Sequence, residues 1–178
     1  MNLSLTSVEA LALLEKGKSV EDAIITGKLR LAQISVDEFG TVRTLIVLRR
    51  CHLEEVEGAF LLFDAQVSFE DCTFKLASFY AAYFFQGAEF VNCTFLSEVT
   101  FDCGGHNTPP ACFRLESCTF KGFVNFFDNY FPGPVEVRGC QFEQGTNLLG
   151  NVGQPFEVQF EVPPVIEGNS GELALDGG

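Results

Sequence analysis

The sequence predicts an all-β chain wound into a four-sided β-helix, and three observations carry that reading. A phenylalanine falls at nearly every fifth or sixth residue: Phe63, Phe69, Phe74, Phe79, Phe84, Phe90, Phe95, Phe101, Phe113, Phe120, Phe126, Phe131 and Phe142. Two residues before most of them stands a small or β-branched side chain, as in Val67, Cys72, Ala77, Ala82, Ala88, Cys93, Val99, Ala111, Cys118, Val124 and Cys140. Finally, Cys51, Cys72, Cys93, Cys118 and Cys140 open one repeated unit at separations of 21, 21, 25 and 22 residues. A period of five fits neither a helix at about 3.6 residues per turn nor a strand at about 2. It fits a chain that turns a corner every five residues and points two side chains inward on each side. Four such sides, plus an occasional extra corner residue, make one coil.

The elements follow in chain order. Thr6-Ser7-Val8-Glu9 is a capping-box pattern, with Thr6 as N-cap and Glu9 reaching back. Val8, Leu11, Leu13 and Leu14 follow, and Gly17 suits the position past the helix end. The spacing predicts a helix over about residues 7–16, within a capping segment 1–19 that covers the end of the solenoid. Residues 20–150 carry the repeats, entered gradually through Ala23/Ile25, Leu29/Leu31 and Ile46/Leu48, with a loop at Asp37–Gly40.

Inward pairs then count out the coils. The first uses Ile46/Leu48, Cys51/Leu53, Val56/Gly58 and Leu61/Phe63, and the second Val67/Phe69, Cys72/Phe74, Ala77/Phe79 and Ala82/Phe84. The third uses Ala88/Phe90, Cys93/Phe95 and Val99/Phe101, its fourth side replaced by an insertion over residues 102–110. The fourth uses Ala111/Phe113, Cys118/Phe120, Val124/Phe126 and Asn129/Phe131. The fifth runs through Val135/Val137, Cys140/Phe142 and Thr146/Leu148 before the pattern dissolves. Residues 151–178 are expected to add one strand, Phe156–Val162, and a tail with flexible Gly168–Gly171 and Gly177–Gly178. Each buried ring contributes roughly 1.5–3 kcal/mol, so the core reads as a pillar of rings lined by Cys, Ala and Val.

Composition bounds the function classes. The chain of 178 residues carries a net charge of −13, with 7 basic and 6 acidic groups in residues 1–50 but 4 and 18 in the remainder. Such a surface repels nucleic acid and acidic lipid, and two readings of it stay open: it attracts a basic partner, or it only keeps an apolar solenoid soluble. No run of about 20 apolar residues marks a membrane span, and no Lys or Arg precedes Lys16 as a secretory leader requires. A cytoplasmic location is expected. Cys51, Cys72, Cys93, Cys118 and Cys140 fall at core positions and read as small hydrophobes in a reducing compartment rather than a disulfide framework.

This pattern resembles the pentapeptide-repeat proteins. Ala77-Ser78-Phe79-Tyr80-Ala81 and Cys93-Thr94-Phe95-Leu96-Ser97 match that unit of a small residue, a polar residue, a central Leu or Phe and two variable positions. Residues 20–31 look like the opening coil that follows a capping helix in such proteins, and the likeness covers about residues 20–150. It implies a right-handed quadrilateral β-helix. The chain departs from the family in using Phe for Leu and in its longer steps. One group in the family mimics DNA by its acidic surface and binds DNA gyrase. The likeness therefore offers an acidic mimic, resting here on Glu54, Glu55 and Glu57, as the alternative to a protein-interaction scaffold.

The candidate sites are few. Outward positions gather Phe60, Leu62, Tyr80, Tyr83, Phe85, Phe123, Phe127 and Tyr130, an aromatic patch of the kind that marks a contact surface. Two readings stay open: the chain covers the patch itself, or an unknown protein or a second copy docks there. Asp102, Cys103, His106 and Cys112 are metal-ligand types within one loop, but their spacing fits no zinc pattern and a structural loop is expected. His52 should point outward, and no cysteine has a neighbouring His to make it a nucleophile. No phosphate loop, dinucleotide fingerprint or nucleophile elbow is present, so neither an enzyme nor a cofactor is expected.

Overall fold

The computed structural model describes residues 3–34 and 36–177. The chain winds as a right-handed, four-sided β-helix of about 6 turns, with one short helix at its N-terminal end. The first side is a seven-stranded sheet running from Val20–Glu21 through Ile46–Arg49, Val67–Glu70, Ala88–Val91, Phe113–Glu116 and Val135–Arg138 to Val165–Glu167. The second and third sides share a nine-stranded sheet. Its early strands, Ala23–Arg30, His52–Glu57 and Thr73–Ser78, run round the corner between the two sides. The fourth side is thinnest: Thr41–Val42, Leu62–Phe63 and Tyr83–Phe84 form one small sheet, and Tyr130–Phe131 with Gln159–Phe160 another. Strands of successive turns pair in parallel, so each side's backbone N–H and C=O groups are satisfied by the turns about 4.8 Å above and below.

Helix α1 spans Ser7–Leu14. The capping box forms as expected: Thr6 Oγ1 accepts from the Glu9 amide at 3.3 Å, and the Thr6 amide donates to Glu9 Oε2 at 2.8 Å. The helix ends by donation from the Lys18 amide to the Leu13 carbonyl and from the Gly17 amide to the Leu14 carbonyl, with Gly17 at φ +67°. That is a Schellman ending, which a residue without Cβ adopts freely. Ala10, Leu11 and Leu14 are buried against the first turn, while Val8 is exposed, contrary to its expected inward role. The cap also holds an element the sequence pattern did not reveal: Leu3–Thr6 is a strand in parallel register with Ala23–Thr26.

The rings stack in vertical columns. On the second side Phe74, Phe95, Phe120 and Phe142 lie 4.4, 4.8 and 4.9 Å apart and nearly parallel. On the third side Phe79, Phe101 and Phe126 stack at 5.4 and 5.2 Å. All the phenylalanines expected in the core are buried, as are Cys51, Cys72, Cys93, Cys118 and Cys140, one above another beside the second side. The thiols act as protonated donors to carbonyls of the preceding turn, Cys72 to Leu48 at 3.5 Å and Cys118 to Phe90 at 3.1 Å.

Three expectations need correction. The third coil keeps its fourth side: Gly105 bridges Tyr83 and Tyr130 in parallel, so the extra residues lie after His106 rather than over 102–110. The fourth coil opens on Phe113/Leu115, which pair with Ala88 and Phe90, rather than on Ala111/Phe113. These two departures compensate each other. No ring stands on the inward side at Gly105–His106, and Phe113, in a slot that holds Ala88 and Val135 in neighbouring turns, reaches Phe84 at 5.8 Å and Phe131 at 5.2 Å across the gap. Winding also continues past residue 150. Val165–Glu167 pairs with Glu136–Arg138, Ser170 bridges Gln141, and the Leu175 amide donates to the Thr146 carbonyl at 3.1 Å. Gly168–Gly171 is therefore part of a sixth turn, and only Gln159–Phe160 of the expected Phe156–Val162 strand is regular. Gly178 lies outside the described residues.

Candidate interaction surface

The corner between the third and fourth sides is built from left-handed residues, Phe60, Ala81, Cys103 and Asp128, with φ of 59, 50, 57 and 56°. A ladder of amide bonds, Phe60 to the Tyr80 carbonyl, Ala81 to Asp102, Cys103 to Phe127 and Asp128 to Phe156, aligns Tyr80, Asp102, Phe127 and Phe156 in one outward column. Phe60 is 70% exposed and meets Tyr80, 37% exposed, edge-on at 5.1 Å. Below them Phe127 and Phe156 stack at 4.3 Å.

The adjoining fourth side carries a second column. Tyr83 and Tyr130 occupy equivalent rungs, and the rung between them is Gly105, at φ +92°. A Cβ there would stand 2.6 Å from the Tyr130 carbonyl, so glycine is required. His106, itself left-handed at φ +59°, turns its ring outward into the space above Gly105. The imidazole lies 3.9 Å from the Tyr83 ring and 5.4 Å from that of Tyr130, and burial pulls its pKa below the ordinary value. Tyr130 donates to Glu161 at 3.1 Å. Of the patch expected from sequence, Tyr83, Phe85, Phe127 and Tyr130 are half-buried by the chain's own residues, Phe60 and Tyr80 remain open, and Phe123, also half-buried, stands apart at the start of the third side, level with Leu76 and Glu98. His106 and Phe156 were missed as members. The step of 22 residues from Phe84 to His106 was the available signal.

The loop's other chemistry does not converge. Among the described residues no three His, Cys, Asp or Glu side chains gather as metal ligands. Cys103 sits at the corner beside Tyr80 and Asp102, Cys112 starts the next turn, and both are free thiols. Burial, with Asp102 nearby, pushes the Cys103 thiol up, and burial does the same for Cys112.

Charge is segregated by side. Beyond residue 50 the chain's only cations are Lys75, Arg114, Lys121 and Arg138. They lie on the first two sides in alternating ladders such as Glu89–Arg114–Glu136, at 3.3 and 3.2 Å. Glu54, Glu55 and Glu57 are likewise matched, by Lys75 at 3.8 Å, by Lys28 at 3.1 Å, and by Lys28 and Arg30 respectively. The third and fourth sides have no Lys or Arg from Leu76 onward, and Glu98, Asp102, Asp128, Glu157 and Glu161 form no ion pair among the described residues. Burial raises the pKa of Asp102, whose Oδ1 is buried without a partner.

The chain matches no protein-family model, no curated protein and no solved structure.

Proposed function

We propose that the protein is a non-catalytic scaffold of the pentapeptide-repeat type that binds a partner protein on the corner between its third and fourth sides. The observation that carries this reading is the exposed Phe60–Tyr80 pair, continuous with the half-buried Tyr83–His106–Tyr130 column. Burying two such rings is a natural hot spot for association. The ring-filled interior leaves surface rather than cavity for function. Seven free cysteines, five of them buried, fit a reducing cytoplasm. The rival reading, an acidic DNA mimic on Glu54, Glu55 and Glu57, is less favoured because those carboxylates already face Lys28, Arg30 and Lys75.

The test is affinity capture from a lysate of the source cells with wild type and Phe60→Ser/Tyr80→Ser as baits. The scaffold reading expects proteins held by wild type and lost on the variant. An identical set on both baits, with both baits monomeric by light scattering, overturns it.

A further inference from the structure

The exposed pair and the stacked column leave open what chemistry docks there, and the charge pattern supplies it. Building on the scaffold reading, we infer that this corner receives an arginine-bearing, extended segment of a partner protein. Most acids on the first two sides are answered by cations of the neighbouring turn: Glu21 and Glu70 by Arg49, Glu89 and Glu136 by Arg114, Glu143 by Lys121. At this corner the answering charge is missing, because every cation beyond Leu76 lies on the first two sides. Asp102 stands in the same outward column as Tyr80 and Phe127, and Asp128 follows Phe127 on the next rung position. The Asp102 carboxylate therefore stands one turn from the Tyr80 ring and one turn from the Phe127 ring, with Asp128 beside the latter. A guanidinium satisfies both at once: its flat face stacks on a ring while its edge donates to a carboxylate. An ammonium offers the charge without the flat face.

The same pattern excludes a second copy of this chain. A two-fold contact places the same patch on both partners. It would bring Asp102 and Asp128 of one copy toward those of the other, with no cation between them, and like charges so placed disfavour the complex.

Binding of a labelled nona-arginine peptide to the full chain, followed by fluorescence anisotropy beside nona-lysine, tests this. The arginine peptide should bind at least about threefold tighter than the lysine one, the stacking share of the contact. Asp102→Asn/Asp128→Asn should weaken it about tenfold, while Asp71→Asn/Glu116→Gln, the same charge change on the first side and its corner, should leave it within about twofold. Phe60→Ser/Tyr80→Ser should remove the preference for arginine. Equal losses in the two charge variants, or equal affinity for the two peptides, overturns the inference. So does a wild-type dimer that Phe60→Ser/Tyr80→Ser dissolves. If the captured proteins still depend on Phe60 and Tyr80 while the arginine peptide binds every variant alike, the arginine assignment fails and the scaffold reading stands.

Discussion

Replacing Phe90 by alanine tests the ring pillar where it is densest. The Phe90 ring stacks on Phe69 at 5.3 Å and also meets Phe74, Phe79, Phe95, Phe101 and Phe113 within 6.4 Å. It is fully buried, and its backbone is held between Phe69 above and Leu115 below. The surrounding rings are themselves pinned by sheet hydrogen bonds on every side, so the site collapses poorly. Losing the ring forfeits about 2 kcal/mol of transfer free energy and leaves a cavity of roughly 100 Å³, which at about 24 cal/mol per Å³ adds about 2.4 kcal/mol. The expected cost is therefore about 4–5 kcal/mol, at the upper end for a phenylalanine deletion. Urea unfolding followed by far-UV circular dichroism measures it, since the chain has no tryptophan to report. Phe60→Ala, with a ring 70% exposed, serves as the control and should cost no more than about 0.5 kcal/mol. A loss below about 1.5 kcal/mol at Phe90 with an unchanged urea slope would mean that the turns slide to refill the space, and the rigid-ladder reasoning would fall.

Other tests probe features particular to this chain. Phe113→Val restores the small residue that neighbouring turns carry, yet it should destabilise by about 2 kcal/mol in the same urea assay, because Phe113 fills the gap left at Gly105–His106. Gly150→Ala places a methyl on the Leu175 carbonyl. It should speed exchange of the Leu175 amide at least about tenfold, as local opening of a terminal segment, and leave the Leu96 amide unchanged by hydrogen-exchange mass spectrometry or NMR. The Thr41 amide foremost, with that of Phe39, holds the Asp37 carboxyl at about 2 against an ordinary 3.8. A depressed carboxylate contributes stability above its unfolded value and loses it as pH falls through the folded one, so Asp37→Asn should flatten the decline in Tm between about pH 4 and 2. Burial keeps His106 below its ordinary 6.5, so the unfolded chain takes up that proton first and stability falls as pH drops below 6.5. His106→Gln should reduce that loss, read as Tm between about pH 7 and 5.

The five-residue cadence was enough to determine a four-sided solenoid, and the Thr6–Glu9 capping box its helix, because each inward side chain in such a coil sits on a repeating rung and hydrophobic choice is local to that rung. The same locality made the ring columns and the cysteine file readable in advance. Only the tertiary structure could decide what depends on neighbours in other turns. The 25-residue step looked like a lost side because His106, level with the inward Phe84 and Phe131, turns its ring outward, and the pairing of Gly105 with Tyr83 and Tyr130 shows only when the turns are stacked. Phe113 fitted the sequence cadence as a central ring, yet it fills a small-residue slot because the void it plugs belongs to the turn above. The sixth turn was hidden because Ser170, Leu173 and Leu175 are held by backbone bonds to the fifth, which need no hydrophobic repeat. Net acidity was plain in the composition. Which carboxylates stand free was decided by stacking, since a turn's cations can neutralise only the sides on which they fall.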